Sequence, residues 1–370
     1  MLKKLKDECY IVMGQSPSST NYNQDKNGTP FMQGRKTFGD KYPSIDTWTT
    51  KLTKIATKGS VLMSVRAPVG DVNIAPCDLC IGRGLASIKM KNGNNQYLYY
   101  LLKNNSSLLK NKSNGTIFES INKEDLENLV LNFCSEEEQV KISKVLNDID
   151  KKIDLNIRMN NNLHELMKIK FNNYIDNIEE YEESVLSKIA NYKNGLAMQK
   201  YRPINEIGLP VIKIKEMNSG ISSETERCKS DVDEDVIIND GDVLFAWSGT
   251  LCMSIWCEGK AGLNQHIFKV TSDKYPKWFY YFWTLKHLDN FIEIAAGKAT
   301  TMGHIKRTEL DKAVVKIPNY KSIEEMDRVF TPMLNKYVNN NIENRNLVKL
   351  RDTLLPKLMN GEIDLNNIEI

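Results

Sequence analysis

Two short groups of residues have the types and spacing of a metal site. Asp242 precedes the tripeptide Glu258-Gly-Lys260. This spacing suits a metal-dependent nuclease, in which two carboxylates hold Mg²⁺ and the lysine orients the attacking water. Cys77 and Cys80 have the C-x-x-C spacing of half a zinc site.

Both groups also have ordinary structural interpretations. Glu-Gly-Lys is a natural turn between strands, and Cys252 and Cys257 do not repeat the spacing of the first cysteine pair. The sequence also contains no Asn/Asp-Pro-Pro-aromatic tetrapeptide and no G-x-G-x-x-G loop, so a methyltransferase is not expected. We therefore expect no catalytic residue, no metal ligand and no cofactor of the chain's own. A nuclease built on Asp242, Glu258 and Lys260 is the alternative.

A different chemistry, hydrogen bonding to the edges of DNA bases, requires arginine, lysine, asparagine or glutamine on accessible turns. In the first half of the chain such residues occur in QGRK, in the loop that holds Arg66, and at Arg83 between two glycines. In the second half they occur in VIKIKEM and GKATTMGHIKR. The candidates for DNA contact are Gln33, Arg35, Lys36, Arg66, Arg83, Lys213, Lys215, Ser248, Gln265, His266, Lys298, Thr300, Thr301 and His304.

Several of these candidates have a competing structural interpretation. Arg66 and Arg83 could brace the fold, since most surface arginines position or pack. Gln265 and His266 fall within a strand pattern, where a structural role is favoured over a base contact. Trp247 could stack on DNA or wedge into it, but an aromatic residue in this pattern is more often part of a core.

These turns belong to an internal repeat with a period near 181 residues. Gly14 and Gly195, for example, are corresponding residues of the two copies. The run GSVLMSV at 59–65 likewise corresponds to GDVLFAW at 241–247. In both copies, short β-branched runs broken by Gly and Pro predict strands with tight turns, and a short aromatic helix follows. Each copy is therefore expected to be a compact α+β domain.

A long stretch with helical periodicity follows each copy. Residues 136–175 contain no Gly or Pro and predict one helix. Apolar residues spaced alternately four and three apart form a coiled-coil seam that Asn156 and Asn160 interrupt. A similar seam near the C-terminus contains Asn341 and Asn344. An antiparallel pairing of Asn156 with Asn344, and of Asn160 with Asn341, would satisfy these amides; two solvated helices in an ordinary bundle are the alternative.

The expected fold is therefore α+β, with two duplicated domains joined by two long antiparallel helices that form a coiled-coil spacer, and with pseudo-two-fold symmetry. We place the first domain at residues 1–134 and its helix at 135–183. The second domain is placed at 184–318 and its helix at 319–370.

Composition and charge restrict the function. The chain has 41% hydrophobic residues, no apolar run long enough to cross a membrane and no signal-peptide pattern, and its seven cysteines suggest reduced thiols in a cytoplasm. The net charge of +3 is unevenly distributed: residues 1–134 carry 18 Lys and Arg against 11 Asp and Glu, whereas 135–183 carry 7 against 12. Positive charge in the first globular segment is expected if that segment faces phosphate.

The motifs together resemble the DNA-specificity subunit of type I restriction–modification systems. The stretch GSVLMSVRAPVGDVNIAPCDLCIGRGLASIK, with GQSPSS and GTPFMQG ahead of it, carries the resemblance in the first copy. In the second copy it is carried by GLPVIKIKEM, GDVLFAWSGTL, GLNQHIFKV and LRDTLLPKLMNGEIDL. The resemblance covers essentially the whole chain, with the parts in the family's order.

The resemblance implies a non-catalytic subunit that binds double-stranded DNA and reads a split target, one half-site per domain. It also implies docking of two modification subunits, with two restriction subunits joining for cleavage. S-adenosylmethionine, ATP and Mg²⁺ would then be used by those partners. A coiled-coil scaffold that binds no DNA is the alternative from another class.

Base readers and phosphate binders should respond differently to mutation. If Lys36 contacts a phosphate, Lys36→Ala should weaken binding to all sequences alike and reduce the salt slope by about one. If Arg35 reads a guanine, Arg35→Ala should cost about 1–3 kcal/mol and relax one position only. Affinities for matched and mismatched duplexes across a salt series would separate these roles, and equal behaviour of the two variants would contradict the assignment.

Overall fold

The computed structural model describes residues 1–106, 120–205, 207–297 and 303–363. These residues form two compact units, one comprising 1–151 with 348–370 and the other comprising 152–347. We call them unit 1 and unit 2. Each long helix contributes one segment to each unit.

Unit 1 contains eleven strands and three short helices among its described residues, followed by the first long helix. The strands are β1 (Leu2–Lys4), β2 (Cys9–Met13), β3 (Tyr22–Asn23), β4 (Thr29–Met32), β5 (Trp48–Thr49), β6 (Ile55–Ala56), β7 (Val61–Ser64), β8 (Val72–Ile74), β9 (Leu79–Ile81), β10 (Leu85–Met90) and β11 (Val130–Asn132). The helices are α1 (Leu5–Glu8), α2 (Asn95–Asn104), α3 (Lys123–Glu127) and the long α4 (Glu136–Asp176).

Unit 2 has a similar but not identical order of elements, with ten strands among its described residues. Its strands are β12 (Tyr181–Val185), β13 (Asn191–Asn194), β14 (Leu209–Ile212), β15 (Arg227–Cys228), β16 (Ile237–Ile238), β17 (Val243–Ala246), β18 (Cys252–Ile255), β19 (Ala261–Leu263), β20 (Ile267–Thr271) and β21 (Val314–Pro318). Its helices are α5 (Leu186–Ile189), α6 (Ile214–Ser219), α7 (Lys277–Ala296) and the long α8 (Tyr320–Met359).

The sheets of the two units have matching topology. A four-stranded antiparallel sheet has the order β2-β10-β7-β8 in unit 1 and β13-β20-β17-β18 in unit 2. A second sheet has one parallel pair in each unit, β4 with β9 and β14 with β19. A two-stranded ladder, β1 with β11 or β12 with β21, joins the start of each copy to its end. The α+β class and the duplication expected from the sequence are therefore confirmed.

The core of each unit lies between its four-stranded sheet and a segment of the long helices. In unit 2 it is strongly aromatic: Trp278 stacks on Phe330 with ring centroids 4.6 Å apart, and Phe171 stacks on Phe282 at 5.5 Å. All four rings are almost fully buried. Such rings each bury about 150–250 Å², so this cluster attaches the helix pair to the second copy of the α+β fold.

Buried asparagines set the register of the antiparallel helices in unit 2. Asn156 Nδ2 donates to Asn344 Oδ1 at 2.9 Å, and Asn340 Nδ2 donates to Asn160 Oδ1 at 2.8 Å. The first pair was expected from the seam, and helix α4 begins at the expected residue and ends one residue later. The second pair corrects the sequence prediction, because Asn340 and not Asn341 faces Asn160.

The helix geometry explains this correction. Asn340 and Asn344 are four residues apart, as Asn156 and Asn160 are, so the two amides of each helix lie about one turn apart on the same helix face. Asn340 is 1% exposed. The Asn341 side chain instead lies near Cys257 and Tyr337.

A buried ionic network plays the corresponding part in unit 1. Asp150 on α4 accepts hydrogen bonds from Lys41 Nζ at 2.8 Å, from Arg351 Nη1 at 3.0 Å, and from the Tyr100 hydroxyl. Burial alone would raise the pKa of Asp150, but the Lys41 charge and these hydrogen bonds outweigh it and hold the pKa below its usual value. The network ties the α+β fold to both long helices.

None of the helices within the described part of the chain is both long and apolar enough to cross a membrane.

Replacing the central carboxylate of the network should strongly destabilise unit 1. Asp150→Asn leaves Lys41 buried without its carboxylate and removes one of the three carboxylates that pair with Arg351. The loss should cost about 3 kcal/mol of the free energy of unfolding. Urea denaturation would measure it. The pKa of Asp150 in the folded protein is depressed, so the stabilisation is present above the unfolded pKa and is lost as pH falls through the folded value. The two proteins should therefore begin to converge below about pH 4 and meet only below the folded pKa.

The control is Asp148→Asn on the same helix, since Asp148 is half exposed and among the described residues pairs with Lys151 alone, three residues away. That change should alter the free energy of unfolding by less than about 0.5 kcal/mol. Equal effects of the two substitutions would show that the buried network does not stabilise unit 1.

Candidate nucleic-acid interface

Three turns of unit 1 that the sequence marked separately are hydrogen-bonded to one another. The Gly84 amide donates to the Gln33 carbonyl at 3.1 Å, and the Val65 amide donates to the Gly84 carbonyl at 3.0 Å. Arg66 follows Val65, and Arg83 precedes Gly84. The structure therefore brings Gln33, Arg66 and Arg83 to one end of the unit, where all three residues are exposed.

The Gln33 side chain is held by residues that sequence reasoning missed. Ser16 Oγ donates to Gln33 Oε1 at 2.9 Å, and the Arg83 amide donates to Ser16 Oγ at 3.1 Å. The Tyr22 hydroxyl lies 3.4 Å from the same Gln33 oxygen. Ser16 lies in the GQSPSS motif, which was used only as part of the family resemblance. A hydroxyl beside a candidate reading turn was the signal that could have identified it.

The other two basic candidates of unit 1 have different surroundings. Arg35 forms an ion pair with Asp71, on the turn between β7 and β8. Lys36 is exposed, and among the described residues it has no carboxylate partner. Arg35→Ala would therefore also remove the cation that pairs with Asp71.

Two backbone hydrogen bonds between the turns of unit 2 have equivalents in unit 1. We call the hydrogen-bonded turns of each unit its frame. The Trp247 amide donates to the His266 carbonyl at 3.2 Å, as Val65 does to Gly84 in unit 1. The Asn264 amide donates to the Ile212 carbonyl at 3.1 Å, as Gly82 does to Met32 at 2.8 Å. The two frames can therefore be compared position by position.

This comparison shows which candidates correspond. Lys213 follows β14 as Gln33 follows β4, and Ser248 occupies the place of Arg66. Gln265 occupies the place of Arg83. Ser248 and His304 form an isolated β-bridge, as Arg66 and Ser120 do. The turns are thus equivalent, while the side chains on them differ in charge and size.

The polar candidates of unit 2 already have partners in the DNA-free protein. Lys213 Nζ lies 2.6 Å from Glu226 Oε1, and Lys215 Nζ lies 3.1 Å from Glu224 Oε2. The hydrogen bond from Lys213 lowers the pKa of Glu226. Gln265 Nε2 lies 3.2 Å from His266 Nε2.

The remaining candidates are of two kinds. Ser248 is only 8% exposed, so little of its side chain is accessible. Lys298, Thr300 and Thr301 lie outside the described residues.

The residues of the nuclease alternative have other roles. Asp242 Oδ2 lies 3.1 Å from Lys269 Nζ and accepts a hydrogen bond from the Asn239 amide. The turn holding Glu258 is tied instead to Asp240, which accepts from the Gly259 amide at 2.7 Å and pairs with Arg345 on α8. Burial raises the pKa of Glu258. No group of three or more potential metal ligands occurs in residues 1–106, 120–205, 207–297 and 303–363.

A duplicated α+β fold with matched turns defines a class of two-domain protein. The family model of the type I restriction modification DNA specificity domain matches residues 1–165 and again 178–350. The chain belongs to this family, as its motifs suggested.

Individual relatives agree with this assignment. The type I restriction enzyme MjaIX specificity subunit of Methanocaldococcus jannaschii is 24% identical over 413 aligned positions, covering 99% of this chain and 94% of that protein. A second protein of the same organism, provisionally named the MjaX specificity subunit, is 44% identical over 147 residues. That match spans 39% of this chain and only 35% of the relative.

A solved structure shows the same fold over nearly the whole chain. The S subunit of a type I restriction–modification system from M. genitalium superposes with a TM-score of 0.63 and covers 97% of this chain and 95% of its own. The sequence identity is 15%, so this likeness concerns the fold alone.

A methyl group added at Gly84 should disturb the frame of unit 1. A Cβ there would lie 2.7 Å from the Gln33 carbonyl oxygen and 3.1 Å from the Gly34 Cα, both of them backbone atoms. Gly84→Ala should therefore displace the Gln33 turn and weaken DNA binding at least tenfold, measured by fluorescence anisotropy. Gly34→Ala is the matched control, because a Cβ there meets nothing within 4 Å. Equal affinities of the two variants would show that this turn takes no part in binding.

Proposed function

We propose that this chain is the sequence-specific DNA-binding subunit of a type I restriction–modification complex and reads a bipartite target, one half-site in each unit. The single observation that carries this proposal is the matched frame of hydrogen-bonded turns with different side chains on it. Equivalent positions hold Gln33, Arg66 and Arg83 in one unit and Lys213, Ser248 and Gln265 in the other.

The chemistry of these side chains favours two different half-sites. Arginine pairs best with the O6 and N7 of guanine, whereas glutamine pairs with the N6 and N7 of adenine. Because Arg83 and Gln265 occupy equivalent places, the units should prefer different bases at that position. A frame fixed by backbone bonds allows such exchange without any change of fold.

Electrostatics favour the same function. Arg66, Arg83 and Lys36 are exposed, and the described part of unit 1 offers them no carboxylate partner. Cations of this kind release counterions from the DNA on binding, which gives the affinity a salt dependence. A scaffold that binds no DNA would show no such dependence.

The long helix offers a surface for partner subunits. Within unit 2, α4 exposes Leu155, Met159, Leu166 and Ile169, which are 43–60% exposed and lie four, seven and three residues apart. This spacing forms an apolar strip along one helix face, to which a helix of another chain could pack. We assign it to the modification subunits, two per complex, with two restriction subunits joining for cleavage.

The chemical steps are assigned to those partners. S-adenosylmethionine would be used by the modification subunits, and ATP and Mg²⁺ by the restriction subunits. We assign recognition alone to this chain: Asp242 of the nuclease alternative pairs with Lys269, and the turn that holds its Glu258 is tied to Asp240, which pairs with Arg345.

Methylome sequencing of cells that express the chain with its modification subunit tests this proposal. We expect a split motif with two different halves and an unread gap. Arg83→Ala should relax one position in one half, and Gln265→Ala should relax one position in the other half, each at a cost of about 1–3 kcal/mol. Lys89→Ala is the control, since Lys89 is exposed near the far end of β10 and should leave the motif unchanged.

Three results would count against the proposal. A palindromic or continuous motif would exclude one half-site per unit. Relaxation of the same half-site by both variants would exclude the division between the units. Methylation by the purified chain alone would show that it is not a recognition subunit.

A further inference from the structure

The largest chemical difference between the two frames is an aromatic cluster found in unit 2. At the equivalent backbone bond, unit 2 has Trp247 and His266 where unit 1 has Val65 and Gly84. The strand pairing extends the comparison: Phe268 stands opposite Asn194, as Ala86 stands opposite Met13. Unit 1 therefore has no ring at any of these positions.

The indole of Trp247 is held rigidly in place. It stacks on Phe268 with ring centroids 5.7 Å apart and an interplanar angle of 29°. Its Nε1 donates to Asn194 Oδ1 at 3.0 Å. The backbone is fixed on both sides, since the Trp247 amide donates to His266 and the Trp247 carbonyl accepts from Ile305 at 3.1 Å.

These contacts determine what the cluster can offer to DNA. The single hydrogen-bond donor of the indole is already used, so its accessible remainder is apolar ring surface. The imidazole of His266 is exposed and lies 5.9 Å from the indole, centroid to centroid. Because Phe268 covers the indole and Asn194 anchors its edge, the ring cannot insert between base pairs without breaking both contacts.

Among the groups displayed in the major groove, the C5 methyl of thymine is the one that an apolar surface recognises. We infer that Trp247 and His266 form an apolar contact surface for a thymine methyl group in the half-site read by unit 2. This inference rests on the proposed function and adds the base that this unit selects. Arg83 and Gln33 give the corresponding end of unit 1 hydrogen-bond donors, so a thymine methyl should matter in one half-site only.

The test uses the native complex of the chain with its modification subunit and the target found by methylome sequencing. In a series of duplexes, each thymine is replaced in turn by deoxyuridine, which removes only the C5 methyl. One replacement, in the half-site that Gln265→Ala relaxes, should weaken binding about fourfold, the effect expected for one buried methyl. Replacements in the half-site that Arg83→Ala relaxes should change the affinity by less than about 1.5-fold, since no apolar surface meets them there.

Variants then connect this effect to the cluster. Trp247→Ala should abolish the difference between thymine and deoxyuridine, and Asn194→Ala, which keeps the ring but frees its edge, should reduce it. Tyr181→Ala is the control, because Tyr181 is an aromatic residue of unit 2 that is 40% exposed on a different sheet. If Trp247→Ala does not fold, the deoxyuridine series on the native complex decides the question.

The outcomes separate this inference from the proposed function. Sequence-specific binding with no deoxyuridine effect, or a unit 2 half-site without any T·A pair, would overturn the thymine contact and leave the proposed function standing. An equal deoxyuridine effect in both half-sites would overturn it as well. Absence of sequence-specific binding altogether would overturn both.

Discussion

The need to satisfy buried polar groups on the long helices is the constraint on which the rest of this structure depends. A buried amide without a partner costs about 1–3 kcal/mol, so Asn156 and Asn160 restrict unit 2 to a register in which Asn344 and Asn340 face them. A shift by a whole heptad would place an asparagine against an aliphatic residue. The same register places Phe171 and Phe330 against the aromatic helix α7.

Ion pairs connect the long helices to the α+β part of each unit. In unit 1, Arg351 joins Asp150 and Asp40, and Lys41 follows Asp40 in the chain. In unit 2, Arg345 joins Asp240, whose carboxylate also accepts from the Gly259 amide. A buried ion pair gives little net stability, because desolvation offsets the attraction, but losing one member is costly. These pairs therefore determine where each sheet sits on its helix segment more than they determine how stable the unit is.

Backbone bonds hold the turns in place, and the side chains on the turns can vary independently of them. This explains how one fold can recognise different sequences. Two backbone bonds between these turns recur in both units, Val65 to Gly84 as Trp247 to His266 and Gly82 to Met32 as Asn264 to Ile212. The side chains on the turns nevertheless range from arginine to glutamine and tryptophan. Several of the cations are also paired, as Arg35 is with Asp71 and Lys213 is with Glu226.

Much of the architecture could be predicted from the sequence, because it depends on local patterns. Helix α4 follows from periodicity and from the lack of Gly and Pro between Glu136 and Asp176. The duplication follows from motifs repeated about 181 residues apart, as Gly14 and Gly195 show. The Asn156–Asn344 pair could be predicted as well, since polar breaks in two matched seams have few ways to satisfy each other.

The tertiary structure decided the contacts between residues far apart in the chain. Periodicity indicates which residues are buried but not which partner each one meets. It therefore predicted Asn341 as the partner of Asn160, whereas Asn340 is the partner. The same limit concealed the role of Ser16 beside Gln33, the Arg35–Asp71 pair and the packing of Trp247 on Phe268. Each of these contacts joins turns that are local in sequence and meet only when the sheets form. The sequence alone therefore determined the elements and the family, while folding determined which side chains stand together at the candidate turns.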